Sequence, residues 1–328
     1  MIAASADDIP VIDITTATAA QDIVAACTEF GFFAIQGHGI DDGLRRDLLD
    51  VAQAFFNQSP STKQSVAMTH GGSAWRGWCP LEGELTSGIP DLKEGFYVGR
   101  ELDIDPRPLH GPNLWPQSPA QFRPAVDRWM TEVEALGQRV LALMAVGLGL
   151  DDTYFVNGLT NDPTPLFRIF RYPPQPVVDD TNRWGVAEHS DYGLLTLLAH
   201  DGTPGLEVQV GEHWVEAPSD PELIMCNLGD MLDRLTRGRF RSTPHRVRNH
   251  SSHDRYSMPF FLDPGWDAVV NLLPIHAVQA ESDHDLHARE RWDQADLDTV
   301  SGTYGDWLTM KVRNVFPHLA AQQFGPPQ

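Results

Sequence analysis

The stretch richest in chemistry is 187–195, AEHSDYGLL. His189 and Asp191 stand two residues apart in a run of β type, and an extended backbone sends such side chains from the same face. One imidazole and one carboxylate can then share an ion, with a third donor supplied from elsewhere. His245, in STPHRV and 56 residues downstream of His189, is the best-placed candidate, beyond four short apolar strand-like runs. Two imidazoles and a carboxylate on one side of an octahedron suit iron(II) and leave three positions for oxygen and an organic ligand. On its own, HSD reads more readily as a hydrogen-bonded pair near a turn. The weighing changes with RYS at 255–257, ten residues after His245. Arg255 and Ser257 would share a strand face, and a buried guanidinium needs an anion. A dicarboxylate would supply one through a two-pronged hydrogen bond. The competing reading is an internal Arg–Asp pair.

The elements that must position these groups follow from periodicity. After a short apolar segment at 9–14, residues 17–30 and 42–57 show helical spacing around a buried strand in GFFAIQGHGI. Residues 70–120 are rich in Gly and Pro with interspersed aromatics, which predicts long loops forming pocket walls. Pro124 suits the first turn of a helix reaching about Leu150, with Val126, Trp129, Val133, Leu136, Val140 and Met144 on one face. From Leu166 to about Asp263, β-rich runs separated by turn signals (LFRIFRY, GLLTLLAH, GLEVQV, HWVEA, LIMCNL, RYSMPFFL) predict a double-sheet jelly roll. A last helix is expected over 304–315. The chain thus reads as α+β, a distorted double-stranded β-helix (jelly-roll) core flanked by helices. Region 1–120 supplies helices, a strand and pocket loops. Region 121–328 supplies the long helix, a core at about 165–265 and the C-terminal helix.

The order H-S-D, S-T-P-H-R-V, R-Y-S-M-P-F-F resembles the iron(II)/2-oxoglutarate dioxygenase superfamily and, within it, the isopenicillin N synthase-like group. PVIDI, GFFAIQGHGI, DLKEGFYVG, NLWP, RYPP and NLGD look like further landmarks, so the resemblance runs from about Ile9 to Pro317. It implies an enzyme using Fe(2+), 2-oxoglutarate and O2, with iron on His189, Asp191 and His245. It also implies a co-substrate carboxylate on Arg255 and Ser257 with a hydroxyl contact from Tyr172, and no catalytic side chain beyond the metal ligands. The implied reaction decarboxylates 2-oxoglutarate to succinate and CO2 while a substrate C–H bond is oxidised, by hydroxylation, desaturation or cyclisation. Many plant members carry Asn where this chain has Phe170, so substrate identity does not transfer from them.

With Tyr172 turned inward by resemblance, alternation in LFRIFRY carries Arg168 and Phe170 inward and Arg171 outward. An inward Arg168 predicts a small-molecule substrate bearing an acidic group, with Trp75 and Phe96 as apolar walls; an internal ion pair is the alternative. Glu188 and Tyr192 are expected on the opposite strand face. His38, His70, His110, His200 and His213 read as turn or strand-end residues, and Cys226 as core. Two other functions remain open: a 2-oxoglutarate-independent oxidase of the isopenicillin N synthase type, and a non-catalytic, metal-stabilised jelly-roll binding module.

In 328 residues, 24 Lys and Arg face 45 Asp and Glu for a formal charge of −21, which disfavours nucleic acid and anionic membranes as partners. Three widely spaced cysteines suggest neither a disulfide framework nor a zinc knuckle. With no signal-peptide pattern and no apolar run of membrane-spanning length, a cytoplasmic location is expected.

Overall fold

The computed structural model describes residues 9–86, 88–105, 107–175, 183–275 and 302–315. Helices form where apolar residues recur every three or four positions. In α1 (Ala19–Glu29), Ala20, Ile23, Ala26 and Cys27 are buried. α2 (Asp42–Phe56) starts at Asp41, whose carboxylate accepts the Leu44 N–H at 3.2 Å and caps the first turn. A short α3 (Pro60–Gln64) follows, with proline where its missing N–H costs nothing. All six face residues expected of the long helix are fully buried in α4 (Phe122–Gly147). At roughly 1.5–3 kcal/mol for each large apolar side chain, that stripe anchors the helix. Gly137 lets it approach the sheet: a Cβ there would lie 2.7 Å from Leu262.

The strands are β1 (Val11–Asp13), β2 (Phe32–Gln36), β3 (Gly77–Cys79), β4 (Leu85–Thr86), β5 (Ile89–Pro90), β6 (Glu94–Gly99) and β7 (Thr164–Tyr172). They continue as β8 (Val186–His189), β9 (Leu195–His200), β10 (Leu206–Val210), β11 (His213–Glu216), β12 (Ile224–Leu228), β13 (His245–Val247) and β14 (Arg255–Asp263). An eight-stranded sheet runs β1-β2-β12-β9-β14-β7-β6-β3, antiparallel except for β1 on β2. A second, antiparallel sheet runs β11-β10-β13-β8, and a hairpin joins β4 to β5. One cavity is lined from both larger sheets, by β7, β9 and β14 on one side and β8, β10 and β13 on the other. That is the jelly roll which alternation predicts, and helices α1, α2 and α4 pack outside it.

Two expectations change. Residues 70–120 are not wholly loop, because β3 and β6 lie there and β6, buried throughout, extends the large sheet beside β7. Its sequence EGFYVG lacks strict alternation because both faces are covered. The chain between β12 and β13 also makes a short helix, α5 (Asp230–Leu235). The final helix, α6 (Tyr304–Val315), falls where expected. Among the described residues no helix is long and apolar enough to cross a membrane.

Candidate active site

β8 and β13 are neighbours, and their register sets His189 directly opposite His245, with ring centroids 4.2 Å apart. Asp191 lies past the end of β8, so the expected shared strand face is not what brings it to His189. The bend after the strand does so. The Asp230 N–H donates to the Asp191 carbonyl at 2.8 Å and the Gly229 N–H to that of Leu194 at 3.1 Å. This approach needs glycine at 229, since a Cβ there would lie 2.3 Å from the Gly193 carbonyl oxygen. The NLGD turn between β12 and α5 therefore holds the HSD bend in place.

The resulting donors converge. Asp191 Oδ1 is 3.9 Å from His189 Nε2 and 4.0 Å from His245 Nε2, and one donor atom of each residue lies within 4.8 Å of the others. Each Nδ1 faces a carbonyl, Ala187 at 2.8 Å for His189 and Thr243 at 3.2 Å for His245. A carbonyl can only accept, so Nδ1 carries the proton and Nε2 presents its lone pair, the tautomer a metal requires. Burial, then the adjacent His245, pull His189 down to about 3, which keeps it neutral. Thr196 Oγ1 and Asn227 Nδ2 donate to Asp191 Oδ2 at 2.6 and 2.7 Å and leave Oδ1 available. Neither of these two residues stands out in the sequence; Asn227 is signalled only by the NLGD landmark.

In the same cavity β14 lies beside β7, pairing Arg255 with Tyr172 and Ser257 with Phe170. Ser257 Oγ donates to Tyr172 Oη at 3.2 Å. Arg255 is 2% exposed, donates through Nε to the Thr203 carbonyl at 3.1 Å, and has no partner for Nη1. It makes no ion pair with a described residue. A buried guanidinium left this way is costly, and an anion entering the cavity would relieve it.

The cavity, about 120 Å³, also receives Arg168 and Phe170 from β7. Arg171 points the other way, to Glu94 at 2.9 Å and Asp254 at 2.8 Å. Phe96 and Trp75 are not among the cavity's wall residues, which corrects both expectations. Phe96 sits on the helix-covered face of β6, with ring centroids 5.0 Å from Phe55 and 4.8 Å from Phe122. Trp75 lines a separate cavity of about 10 Å³ beside Arg76, Tyr97 and Arg168. Phe96→Ala should accordingly cost about 3–5 kcal/mol of stability. A thermal midpoint unchanged by that substitution, or a rise in substrate KM without loss of stability, would restore Phe96 to the wall.

Tyr192, expected on the far face, lines the cavity because the strand has already ended and alternation no longer applies. Glu84, Thr86 and Lys93, from the Gly- and Pro-rich region, form a polar wall that sequence reasoning missed. Lys93 Nζ is 2.7 Å from Glu84 and also pairs with Asp91; Thr86 Oγ1 donates to Asp91 at 2.9 Å, and Tyr97 Oη donates to Glu84. Despite burial, Lys93 and Arg168 hold Glu84 at about 2, while burial raises Asp91 to about 6. The alternation D-L-K-E was the available signal, since it sets Asp91 and Lys93 on one side. Asp263, pushed up to about 7 by burial, and Leu308 of α6 complete the lining.

Known proteins share this architecture. Residues 9–118 match the family model described as non-haem dioxygenase in morphine synthesis N-terminal, and residues 163–264 match the 2OG-Fe(II) oxygenase superfamily. A Dictyostelium discoideum protein named as a probable iron/ascorbate oxidoreductase is 38% identical over 327 residues, covering 91% of this chain and 89% of its own. A 2-oxoglutarate-dependent dioxygenase of Monascus ruber is 35% identical over 296 residues, 85% of each chain. A solved 2OG-Fe(II) oxygenase family protein from Caulobacter crescentus superposes with a TM-score of 0.76 at 27% identity, over 93% of this chain and 98% of that one. Carried by its two sheets, its His-Asp-His donors and these likenesses, the chain belongs to the iron(II)- and 2-oxoglutarate-dependent oxygenase superfamily, and is an enzyme that uses iron(II), 2-oxoglutarate and O2.

Proposed function

We propose that His189, Asp191 and His245 hold the iron, and that Arg255, Ser257 and Tyr172 hold the far carboxylate of 2-oxoglutarate. The observation that carries this reading is the unpartnered Arg255 Nη1 in the cavity onto which three metal-competent donors converge. When bound, iron and 2-oxoglutarate supply an oxidant strong enough for an unactivated C–H bond, with release of succinate and CO2. The chain's own residues do the rest. The two carbonyl-anchored imidazoles fix donor direction, and Thr196 and Asn227 keep Asp191 from turning. Leu198, Leu206, Val186 and Val247 wall the co-substrate end with apolar surface that limits water. Phe170 and Phe261 narrow the space beside Arg168, which orients a substrate of limited size.

The substrate is proposed to be a small molecule with an acidic group that Arg168 receives. Glu84 Oε1 is 3.5 Å from Arg168 Nη1, a long contact for an ion pair, and the Arg168 side chain remains 21% exposed. Its guanidinium is held between the Tyr97 and Phe261 rings, each 5.0 Å away, an arrangement that restrains its plane and leaves its edge for a ligand. Hydroxylation is the proposed outcome; desaturation or cyclisation would need the substrate's own geometry to divert it. Screening small acids for succinate release with iron(II) and 2-oxoglutarate, with product mass read in parallel, tests this. A gain of one oxygen marks hydroxylation and a loss of two hydrogens marks the others. Turnover confined to neutral or basic compounds would remove the acidic-group assignment.

A further inference from the structure

Beside the polar wall, outside the main cavity, stands a further buried cation. Arg76 is almost wholly buried; its Nη2 donates to the Leu109 carbonyl at 2.6 Å and its Nε has no partner. Burial, and to a smaller extent the like charge of Arg168, pull it down to about 10, so it is cationic at neutral pH. Glu101 favours its charge from a distance, but that carboxylate takes hydrogen bonds from Asn113 and Trp115, lies 3.7 Å from Arg123 and makes no ion pair with Arg76. Arg76 and Arg168 line the same small cavity of about 10 Å³, roughly the space of one water. Lys93 and Arg168 share the carboxylates Glu84 and Asp91, and Arg76 adds a third cation beside Arg168 on the small cavity. Glu84 serves Lys93 at 2.7 Å and Tyr97 before it serves Arg168 at 3.5 Å. Of the other acids near Arg168, Asp191 faces the metal donors, and Asp263 accepts the Leu194 N–H at 3.2 Å.

We propose that Arg76 is a positioning residue for substrate selection: sharing the small cavity with Arg168, it adds a buried positive charge beside the guanidinium that receives the substrate. Arg168 is then completed by a substrate carboxylate and not by Glu84. This deepens the acidic-substrate reading above and rests on it. Arg76 touches no part of the main cavity and acts through Arg168, offsetting the repulsion that Glu84 would exert on an incoming anion. At an effective dielectric of about 20, a charge about 12 Å from an incoming anion changes its affinity by roughly tenfold.

Calorimetry under nitrogen on the full chain loaded with iron and 2-oxoglutarate tests it with two matched probe pairs, phenylacetate against phenylacetamide and hexanoate against hexanamide. The wild type should bind the acid at least about tenfold more tightly than the amide in one pair or both. Arg76→Gln should cut that ratio severalfold, Arg76→Lys should retain it, and Glu84→Gln should raise it. Because Glu84→Gln works in the opposite direction, the proposal stays testable should Arg76→Gln fail to fold. Equal binding of acid and amide in both pairs, no binding of either acid, or a ratio unmoved by Arg76→Gln while only the thermal midpoint falls would overturn it. Wild type that binds 2-oxoglutarate but shows no preference sinks this inference alone; wild type that does not bind 2-oxoglutarate sinks the underlying reading with it.

Discussion

His245→Ala should lose nearly all iron at micromolar metal and nearly all succinate release, while its far-ultraviolet circular dichroism stays that of the parent. Removing a residue that merely orients a ligand typically costs 10–100-fold in metal affinity or activity, so deleting one of three donors should cost at least about a hundredfold. The fold should survive. His245 sits at the end of a three-residue strand, with Phe32 edge-on at 5.1 Å as its ring contact beside His189, and the sheets are held mainly by the apolar core. The same substitution at His189 or Asp191 should behave alike. Asn227→Ala should cost less, since Thr196 still donates to the same carboxylate oxygen. The measurement is iron content after gel filtration together with succinate release. His245→Ala protein that keeps one iron per chain and turns over like the parent would show that the third donor has been wrongly assigned.

Arg255→Gln should raise the apparent KM for 2-oxoglutarate while changing that for the primary substrate far less. A hydrogen bond to a charged group contributes about 1.5–3 kcal/mol, which corresponds to roughly a ten- to hundredfold weaker co-substrate. The expectation is asymmetric for a structural reason. Arg255 lies opposite Tyr172 at one end of the β7–β14 ladder, whereas Arg168 lies four residues further along β7, toward Leu166 and Phe261. Stability should hold or improve, because the substitution removes a buried cation whose Nη1 lacks a partner in the absence of ligand. Kinetics at varied 2-oxoglutarate and varied substrate, with thermal midpoints for both proteins, separate the effects. A selective rise in the primary substrate's KM would move the anchor role of Arg255 from co-substrate to substrate.

Much of this was legible in the residues themselves because it depends on local periodicity. The α4 stripe from Val126 to Met144, the alternation of β7 and β14, and the last helix all follow from side-chain spacing of 3.6 or 2 along an element. The same parity placed Arg168, Phe170 and Tyr172 on one face and sent Arg171 to the other. The donor types of HSD, His245 and RYS pointed to an iron site beside a dicarboxylate, and the resemblance those motifs carry named the superfamily. What the residues could not decide was anything set by which strands become neighbours. That His189 lies opposite His245 is a consequence of β8 pairing with β13 across 56 residues of chain. Asp191 reaches the pair through a bend held by Gly229, and Tyr192 enters the cavity because the strand has already ended.

Tertiary packing likewise placed Phe96 against Phe55 and Phe122 and left Tyr97 on the other side of β6, a choice invisible while 70–120 read as loop. It also buried Lys93 between Glu84 and Asp91 and set Arg76 beside Arg168. Charges that would be solvated and independent in an extended chain become coupled when four segments close over one small volume. How those charges share their partners is therefore a property of the folded molecule alone.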